Sequence, residues 1–294
     1  MQQSALADWL QRQRGVELID LRAVGGGCIH RAWELQLADG SRLFAKSNRA
    51  ALKPVLAAEA DGLQALRAAA AGSGLTVPEP LALAELGGEA VLLLSWLELT
   101  EDGNWQALGR GLAQLHRRSL EGHDGRYGWH RDNFIGSGPQ PNGWTDDWAA
   151  FFTRQRLGAQ LAWARRNGHD LADAETLLAQ VPGWLADHAA EPCLVHGDLW
   201  SGNAGLLRGG GGALFDPAVY RGDREVDLAM ARLFGGFPAA FFEGYEQEWP
   251  LPPGHQQRLE LYNLYHRLNH ANLFGGGYWQ QSAASIRSLL RDRR

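Results

Sequence analysis

Short apolar runs fill the first hundred residues, and apolar positions at helical spacing fill the rest. Residues 4–14 carry an amphipathic helical pattern that stops near Gly15. Val16–Val24 and Ala32–Leu37 have strand patterns and flank Gly25-Gly26-Gly27. Arg42–Ser47 continues as a third strand after Ala38-Asp39-Gly40-Ser41, whose Asp-Gly step is a hairpin signature. Pro54, with its fixed φ, suits the first turn of a helix that runs to about Ala71. Val77-Pro78-Glu79-Pro80 is a rigid connector, and Leu81–Leu86 and Glu89–Leu97, split by Gly87-Gly88, form a last hairpin. Beyond Leu99 the texture changes. Trp105, Leu108, Leu112 and Leu115 share one helical face, and helical patterns dominate 144–166, 171–188, 238–247 and 255–273. Between them a short hairpin, Ala204–Leu207 and Ala213–Phe215, turns through Gly209–Gly212. These patterns predict an α+β chain of two lobes: an antiparallel sheet plus helix over 1–97 and a mainly helical lobe over 98–294, with the boundary near Glu98–Gly103.

Composition narrows the partners. The 294 residues are 45% hydrophobic and 21% charged, enough apolar content for a large core. A formal charge of −5 argues against nucleic acid, whose phosphates call for a basic surface. Two cysteines, Cys28 and Cys193, are too few for a disulfide scaffold, so a reducing compartment is expected. The first residues lack a signal-peptide pattern, and the longest apolar stretch, Ala90–Leu97, is far short of a membrane span. A cytoplasmic protein with no membrane partner is the expectation.

The chemistry gathers in His196-Gly197-Asp198-Leu199-Trp200-Ser201-Gly202-Asn203, behind the apolar run Cys193–Val195. Asp198 can accept a proton from an attacking hydroxyl, and Asn203, five residues on, can offer its side-chain oxygen to a metal ion. Asp216 follows at the end of the hairpin in Leu214-Phe215-Asp216-Pro217, where a carboxylate can hold Mg²⁺ against nucleotide phosphates. Asp, Asn and Asp at these offsets are the catalytic and metal loops of phosphoryl-transfer enzymes of the protein-kinase type; a helix-capping Asp and a turn Asn are the plainer alternative. The first lobe decides between them. Gly25, Gly26 and Gly27 can let backbone N–H groups approach phosphates, while fitting neither the dinucleotide fingerprint nor the Walker loop. Lys46 lies mid-strand in Leu43-Phe44-Ala45-Lys46, where a buried ammonium needs anions that a phosphate and Glu59 would supply.

With these residues in place, the chain resembles the fructosamine kinase (ketosamine 3-kinase) family, a branch of the protein-kinase-like fold. The resemblance rests on LVHGDLWSGN and FDPAVY within 192–220, GGGCIHRAWEL at 25–35, DNFIG at 132–136, QPNGWTDDWAAFF at 140–152, REVDLAM at 224–230 and LYHRLNHANLFGGGY at 264–278. It implies ATP and Mg²⁺ as cofactors and phosphorylation of the 3-hydroxyl of ketosamines, small or protein-bound, after which the adduct falls apart and the amine is deglycated. It implies Asp198 as base, Asn203 and Asp216 as Mg²⁺ ligands, Lys46 on the α/β-phosphates with Glu59 positioning it, and Ser95, Trp96, Leu97 and Glu98 as a hinge reading adenine. Asp227 resembles the buried Asp that braces the catalytic loop, with His196 also structural. Trp200 offers a flat face to a sugar ring or amine cation. Asp132 and Asn133 meet the substrate or form a turn. Trp144 and Trp148 form a same-face helical pair with at least one in the core. Cys28 is a small strand-start residue or an oxidisable one, and Cys193 is inert. His266 and His270, four apart, are packing or surface residues. Asp216-Pro217-Ala218 is stiffer than the Asp-Phe-Gly of protein kinases. Two other readings stand beside this one: a kinase of choline, an aminoglycoside or a sugar, and a nucleotide-binding module without turnover, which would be expected to lack Lys46, Asp198, Asn203 or Asp216.

Overall fold

The computed structural model describes residues 3–25 and 29–292. Gly26, Gly27 and Cys28 lie outside the described residues, and so do the expectations that fall on them. Helix α1 (Gln3–Arg14) leads into strands β1 (Leu18–Val24), β2 (Arg31–Leu37) and β3 (Arg42–Arg49), followed by α2 (Lys53–Ala69). Next come β4 (Leu75–Thr76), β5 (Pro80–Leu86), β6 (Glu89–Ser95), β7 (Leu99–Thr100) and α3 (Trp105–Arg118). A hairpin, β8 (Asn133–Ile135) and β9 (Gly138–Gln140), precedes α4 (Trp148–Phe151), a π-helical stretch Phe152–Gly158, α5 (Ala159–Arg166) and α6 (Ala174–Leu185). The remainder is β10 (Cys193–Val195), β11 (Ala204–Leu207), β12 (Gly212–Leu214), β13 (Tyr220–Gly222), α7 (Glu225–Leu233), α8 (Ala239–Glu248), α9 (His255–Phe274) and α10 (Gly277–Asp292).

The first lobe is a five-stranded antiparallel sheet in the order β1-β2-β3-β6-β5. Strand β6 shows why its sequence is apolar throughout: Val91 and Leu93 face the core containing Leu6 and Leu10 of α1, while Leu92 and Leu94 face the core containing Leu56, Leu63 and Leu66 of α2. A strand covered on both faces has no polar side to present. The second core cluster does not end at the sheet. It continues into Leu194, Leu199, Val219 and Leu228 of the helical lobe. The chain just before the connector joins the other lobe, because β4 pairs in parallel with β12, in a four-stranded sheet ordered β4-β12-β11-β7.

In the helical lobe α3 and α8 cross at two glycines. A methyl group on Gly109 would land on the Phe241 carbonyl, and one on Gly244 would land on the Gln106 carbonyl. Both obstacles are backbone, so the helices would have to move apart. Gly109→Ala is therefore expected to destabilise by about 2–3 kcal/mol, despite alanine's better helix propensity. Chemical denaturation checks this, and an unchanged midpoint would contradict so close a crossing.

Three stretches depart from the sequence pattern. The helix expected from residue 144 starts at Trp148, because Asp147 Oδ1 accepts from the Ala149 N–H (2.8 Å) and Tyr127 pairs with Thr145 as extended chain. Trp144 and Trp148 are thus no helical pair: Trp148 is core, and Trp144 is exposed under the Arg126 guanidinium. Helix α7 has no readable amphipathic pattern, since every residue from Glu225 to Ala231 is buried, two of them acids. The hairpin β8–β9 is only three residues per strand. Among the described residues no helix is long and apolar enough to cross a membrane.

Candidate active site

Strand β3 and helix α2 bring the first pair together. Lys46 stands opposite Ala32 on one side and Leu92 on the other, which turns its side chain toward α2. There Lys46 Nζ donates to Glu59 Oε1 at 2.7 Å, and both groups are buried. The same ammonium reaches the Asp216 carboxylate from the far lobe. Burial works against the Lys46 charge, but Asp216 and then Glu59 override it and hold the amine above its ordinary value. Burial also pushes the Glu59 carboxyl up, to about 7, against the pull of Lys46. We read one ammonium shared by two carboxylates. The site is short of positive charge, which suits an incoming cation.

Asp198 lies in the turn after β10. Gly197 precedes it at φ 80°, and a Cβ there would collide with the Ala218 carbonyl, so the turn requires glycine. Behind the turn Asp227 of α7 accepts from the backbone N–H of His196 (2.7 Å) and Gly197 (2.8 Å) and from His116 Nε2 (3.1 Å). Burial opposes the Asp227 charge, but the His116 hydrogen bond and the neighbouring imidazoles hold it below the usual carboxylate range. His196 ties the two loops together: Nε2 donates to the Phe215 carbonyl at 2.9 Å and Nδ1 accepts from the Asp198 N–H at 3.3 Å. Burial lowers its pKa, which keeps it neutral.

The Asn203 amide N–H groups face the Asp198 carbonyl (2.8 Å), Asp198 Oδ2 (3.2 Å) and the Asp216 carbonyl (3.4 Å). That leaves the Asn203 side-chain oxygen for another partner. Asp216 adopts φ 58°, a left-handed conformation uncommon for a residue with a Cβ, and its side chain is 41% exposed. The Asp198 carboxyl is pushed up to about 7, first by burial and then by the Asp216 charge, with Asn203 pulling the other way. The Asp216 carboxylate and the free Asn203 amide oxygen form a hard oxygen donor pair that fits Mg²⁺.

The other expected site residues fall at varying distances from this centre. Trp200 is 37% exposed two positions past Asp198, its ring lying over Gly202. At the hinge, the Ser95 N–H donates to the Glu79 carbonyl (3.0 Å) and Ser95 Oγ accepts from the Glu79 N–H (2.8 Å). Ser95 therefore anchors the connector, and its N–H is not available to a nucleotide base. Trp96 packs under the Arg42 guanidinium, 4.6 Å from its ring centre, and Arg42 also pairs with Glu98. Leu97 is half-buried between them, and Gly25 is exposed at the end of β1.

Asn133 requires a correction. It is buried, donates to the Val219 carbonyl at 2.7 Å, and accepts from Gln140 and Asn142 at 2.8 Å each. With all its polar atoms engaged it braces the chain after Asp216 and cannot meet a substrate. Asp132 is exposed and accepts from the Asn142 N–H at 2.8 Å, which is the turn alternative. Sequence reasoning missed the rest of this brace. Gln140 also donates to the Ala218 carbonyl (3.0 Å), and the fully buried Arg156, from the π-helical stretch, donates to Asn142 Oδ1 (2.7 Å) and stacks 3.8 Å from the Tyr220 ring centre.

A small antiparallel sheet over a helical lobe, with Lys, Glu, Asp, Asn and Asp converging between them, defines a phosphotransferase of the protein-kinase-like fold. Comparison with known proteins is specific. The fructosamine kinase family model matches residues 2–292, and the chain belongs to that family of ATP-dependent phosphotransferases. It is 47% identical to a Synechocystis sp. protein described as "Probable ketoamine kinase", covering 92% of this chain and 90% of the relative. It is 35% identical to the chloroplastic protein-ribulosamine 3-kinase of Arabidopsis thaliana, covering 99% and 89%. A Haemophilus somnus crystal structure described as "Putative fructosamine-3-kinase" superposes with TM-score 0.86 at 26% identity, covering 98% of this chain and 97% of that one.

Proposed function

We propose that this protein transfers the terminal phosphoryl group of ATP to the 3-hydroxyl of a ketosamine, the first step in releasing the amine from its sugar adduct. The observation that carries this reading is the convergence of Asp198, Asn203 and Asp216 with Lys46 and Glu59, beside an exposed Trp200. Lys46, kept in place by Glu59, binds the α/β-phosphates. Asn203 and Asp216 hold Mg²⁺, which offsets phosphate charge when bound. Asp198 orients the attacking hydroxyl and takes its proton late in the transfer, since positioning and charge stabilisation dominate this chemistry. Residues 1–97 act as the nucleotide lobe, with Gly25, Gly26 and Gly27 as candidate phosphate-binding residues and Trp96 to Glu98 at the adenine edge. Residues 98–294 carry the catalytic and metal loops. We place the reaction in the cytoplasm, on free or protein-bound ketosamines, without nucleic-acid or membrane partners.

The fate of the acidic residues in 129–152 disfavours a polycationic acceptor such as an aminoglycoside. Asp147 caps α4, Asp132 closes a turn and Asp146 is exposed, so no carboxylate cluster faces the cleft from this segment. A flat indole beside the base suits a sugar ring better. The test is ATP consumption with Mg²⁺ over fructosyl-lysine, ribulosyl-lysine, erythrulosyl-lysine, choline and kanamycin, with Asp198→Asn as blank. Turnover confined to ketosamines is expected; turnover of choline or kanamycin instead would overturn the substrate assignment. Trp200→Ala should raise KM for the ketosamine about tenfold and leave KM for ATP unchanged.

A further inference from the structure

His30 is the last residue before β2, and strand register decides which way it faces. Arg31 stands opposite Ser47 and Ala32 opposite Lys46, so His30 falls across from Asn48 on the sheet face that carries Lys46. The opposite face carries Trp33, whose indole N–H donates to Ser47 Oγ at 2.9 Å, and packs against the α1 core. The His30 imidazole is half-buried, and the charges of Lys46 and Asp216 both act on it.

Asn48 determines where the ring proton sits. Its side-chain oxygen accepts from the Arg49 N–H at 2.9 Å, so the NH₂ end must be turned to the loop. Two acceptors meet its two hydrogens: the Ile29 carbonyl at 2.9 Å and His30 Nδ1 at 3.0 Å. Nδ1 accepts, so the proton is on Nε2. Burial, reinforced by Lys46, lowers the pKa to about 4, and a cation at Asp216 would act in the same direction.

We propose that His30 is a nucleotide-binding residue whose neutral Nε2–H donates to an oxygen of the terminal phosphoryl group of ATP, with Asn48 as the positioning residue that fixes its tautomer. This rests on the reading of Lys46 and Asp216 as the phosphate and metal site. A neutral donor strengthens its hydrogen bond as charge builds on the transferring group, and needs no change of protonation at that moment.

The test compares the affinities of AMP-PNP and ADP, each with Mg²⁺, by calorimetry. His30→Phe is expected to weaken AMP-PNP about 10- to 30-fold and ADP less than about twofold, the size of a lost hydrogen bond to a charged oxygen. His30→Gln, whose amide N–H extends toward the Nε2 position, should recover most of that loss. Asn48→Asp would accept from Nδ1–H, move the proton off Nε2 and behave like His30→Phe. Lys46→Met should weaken both nucleotides. In ¹⁵N–¹H correlation spectra of the wild type the His30 proton should be on Nε2. A ring protonated on Nδ1, or equal losses of both nucleotides in His30→Phe, overturns the proposal. Unchanged AMP-PNP binding in His30→Phe overturns it alone, whereas a wild type that binds neither nucleotide overturns the site reading with it.

Discussion

Asp198→Asn is expected to remove activity and stabilise the nucleotide-free protein at the same time. Replacing the base should lower kcat by about a thousandfold, within the range for positioned proton acceptors in sites that act mainly by charge stabilisation. The gain in stability follows from the carboxyl's own titration. Its folded pKa is about 7 against an ordinary 3.8, so the native state disfavours the charge that the unfolded chain accepts freely. The contribution of such a group is fully present below the unfolded value and is lost as pH rises through the folded one. Near pH 8 the wild type therefore carries a penalty that asparagine does not. Asp198 is only partly buried, so solvent takes back much of it; about 1–2 kcal/mol, or about 2–5 °C in melting temperature, should remain. Thermal melts of the apo protein, taken from about pH 5 to about pH 8, should show the two curves separating as pH rises. A variant less stable than wild type at high pH, or one retaining turnover within about tenfold, would contradict this account.

That trade locates function in a place where the local rules of folding are broken, and such places were legible in the sequence to different degrees. Asp198, Asn203 and Asp216 lie within one stretch of chain and converge through a single hairpin, so spacing alone brought them together. Lys46 and Glu59 were legible because a charged residue in an apolar strand has few neighbours able to satisfy it. Asn133 was misread for the opposite reason. A polar residue in a Gly- and Pro-rich stretch looks like an exposed loop; Gln140 and Asn142 reach it across the short β8–β9 hairpin, and Val219, which it caps, is brought in only by the tertiary fold. Arg156 left no signal, because it is buried without a carboxylate among the described residues, its terminal nitrogens held by carbonyls and its guanidinium by aromatic faces while Nε has no hydrogen-bond partner. His30 carried no role of its own in the stretch GGGCIHRAWEL, and register with β3 is what gives it a direction. Helix α7 was invisible because periodicity reports one dry face and α7 is dry nearly all round.

Lys46→Met should be the most damaging single change to the nucleotide site, and its effects on activity and stability should be separable. For activity the loss is of a charge held against the phosphates in a buried site, expected to cost about 10²- to 10³-fold in kcat/KM. For stability the loss leaves Glu59, 9% exposed, without the ammonium it faces at 2.7 Å. Breaking one side of a buried pair can cost about 3–5 kcal/mol. Here the cost should be smaller, about 2 kcal/mol, because burial already lifts the Glu59 carboxyl to about 7 and lets it take up a proton in place of the lysine. The penalty should accordingly be larger near pH 8 than near pH 6, since Glu59 must stay ionised or be neutralised at a cost above its pKa. Adding Glu59→Gln to Lys46→Met removes the stranded charge. The double variant should recover most of the denaturation midpoint and none of the activity, whereas Glu59→Gln alone should keep the fold and lose rate through a less constrained Lys46. Recovery of activity in the double variant would mean that the pair serves the fold only and that another cation holds the phosphates. Failure to recover stability would mean that Asp216, the second carboxylate on Lys46, is the group the ammonium chiefly restrains.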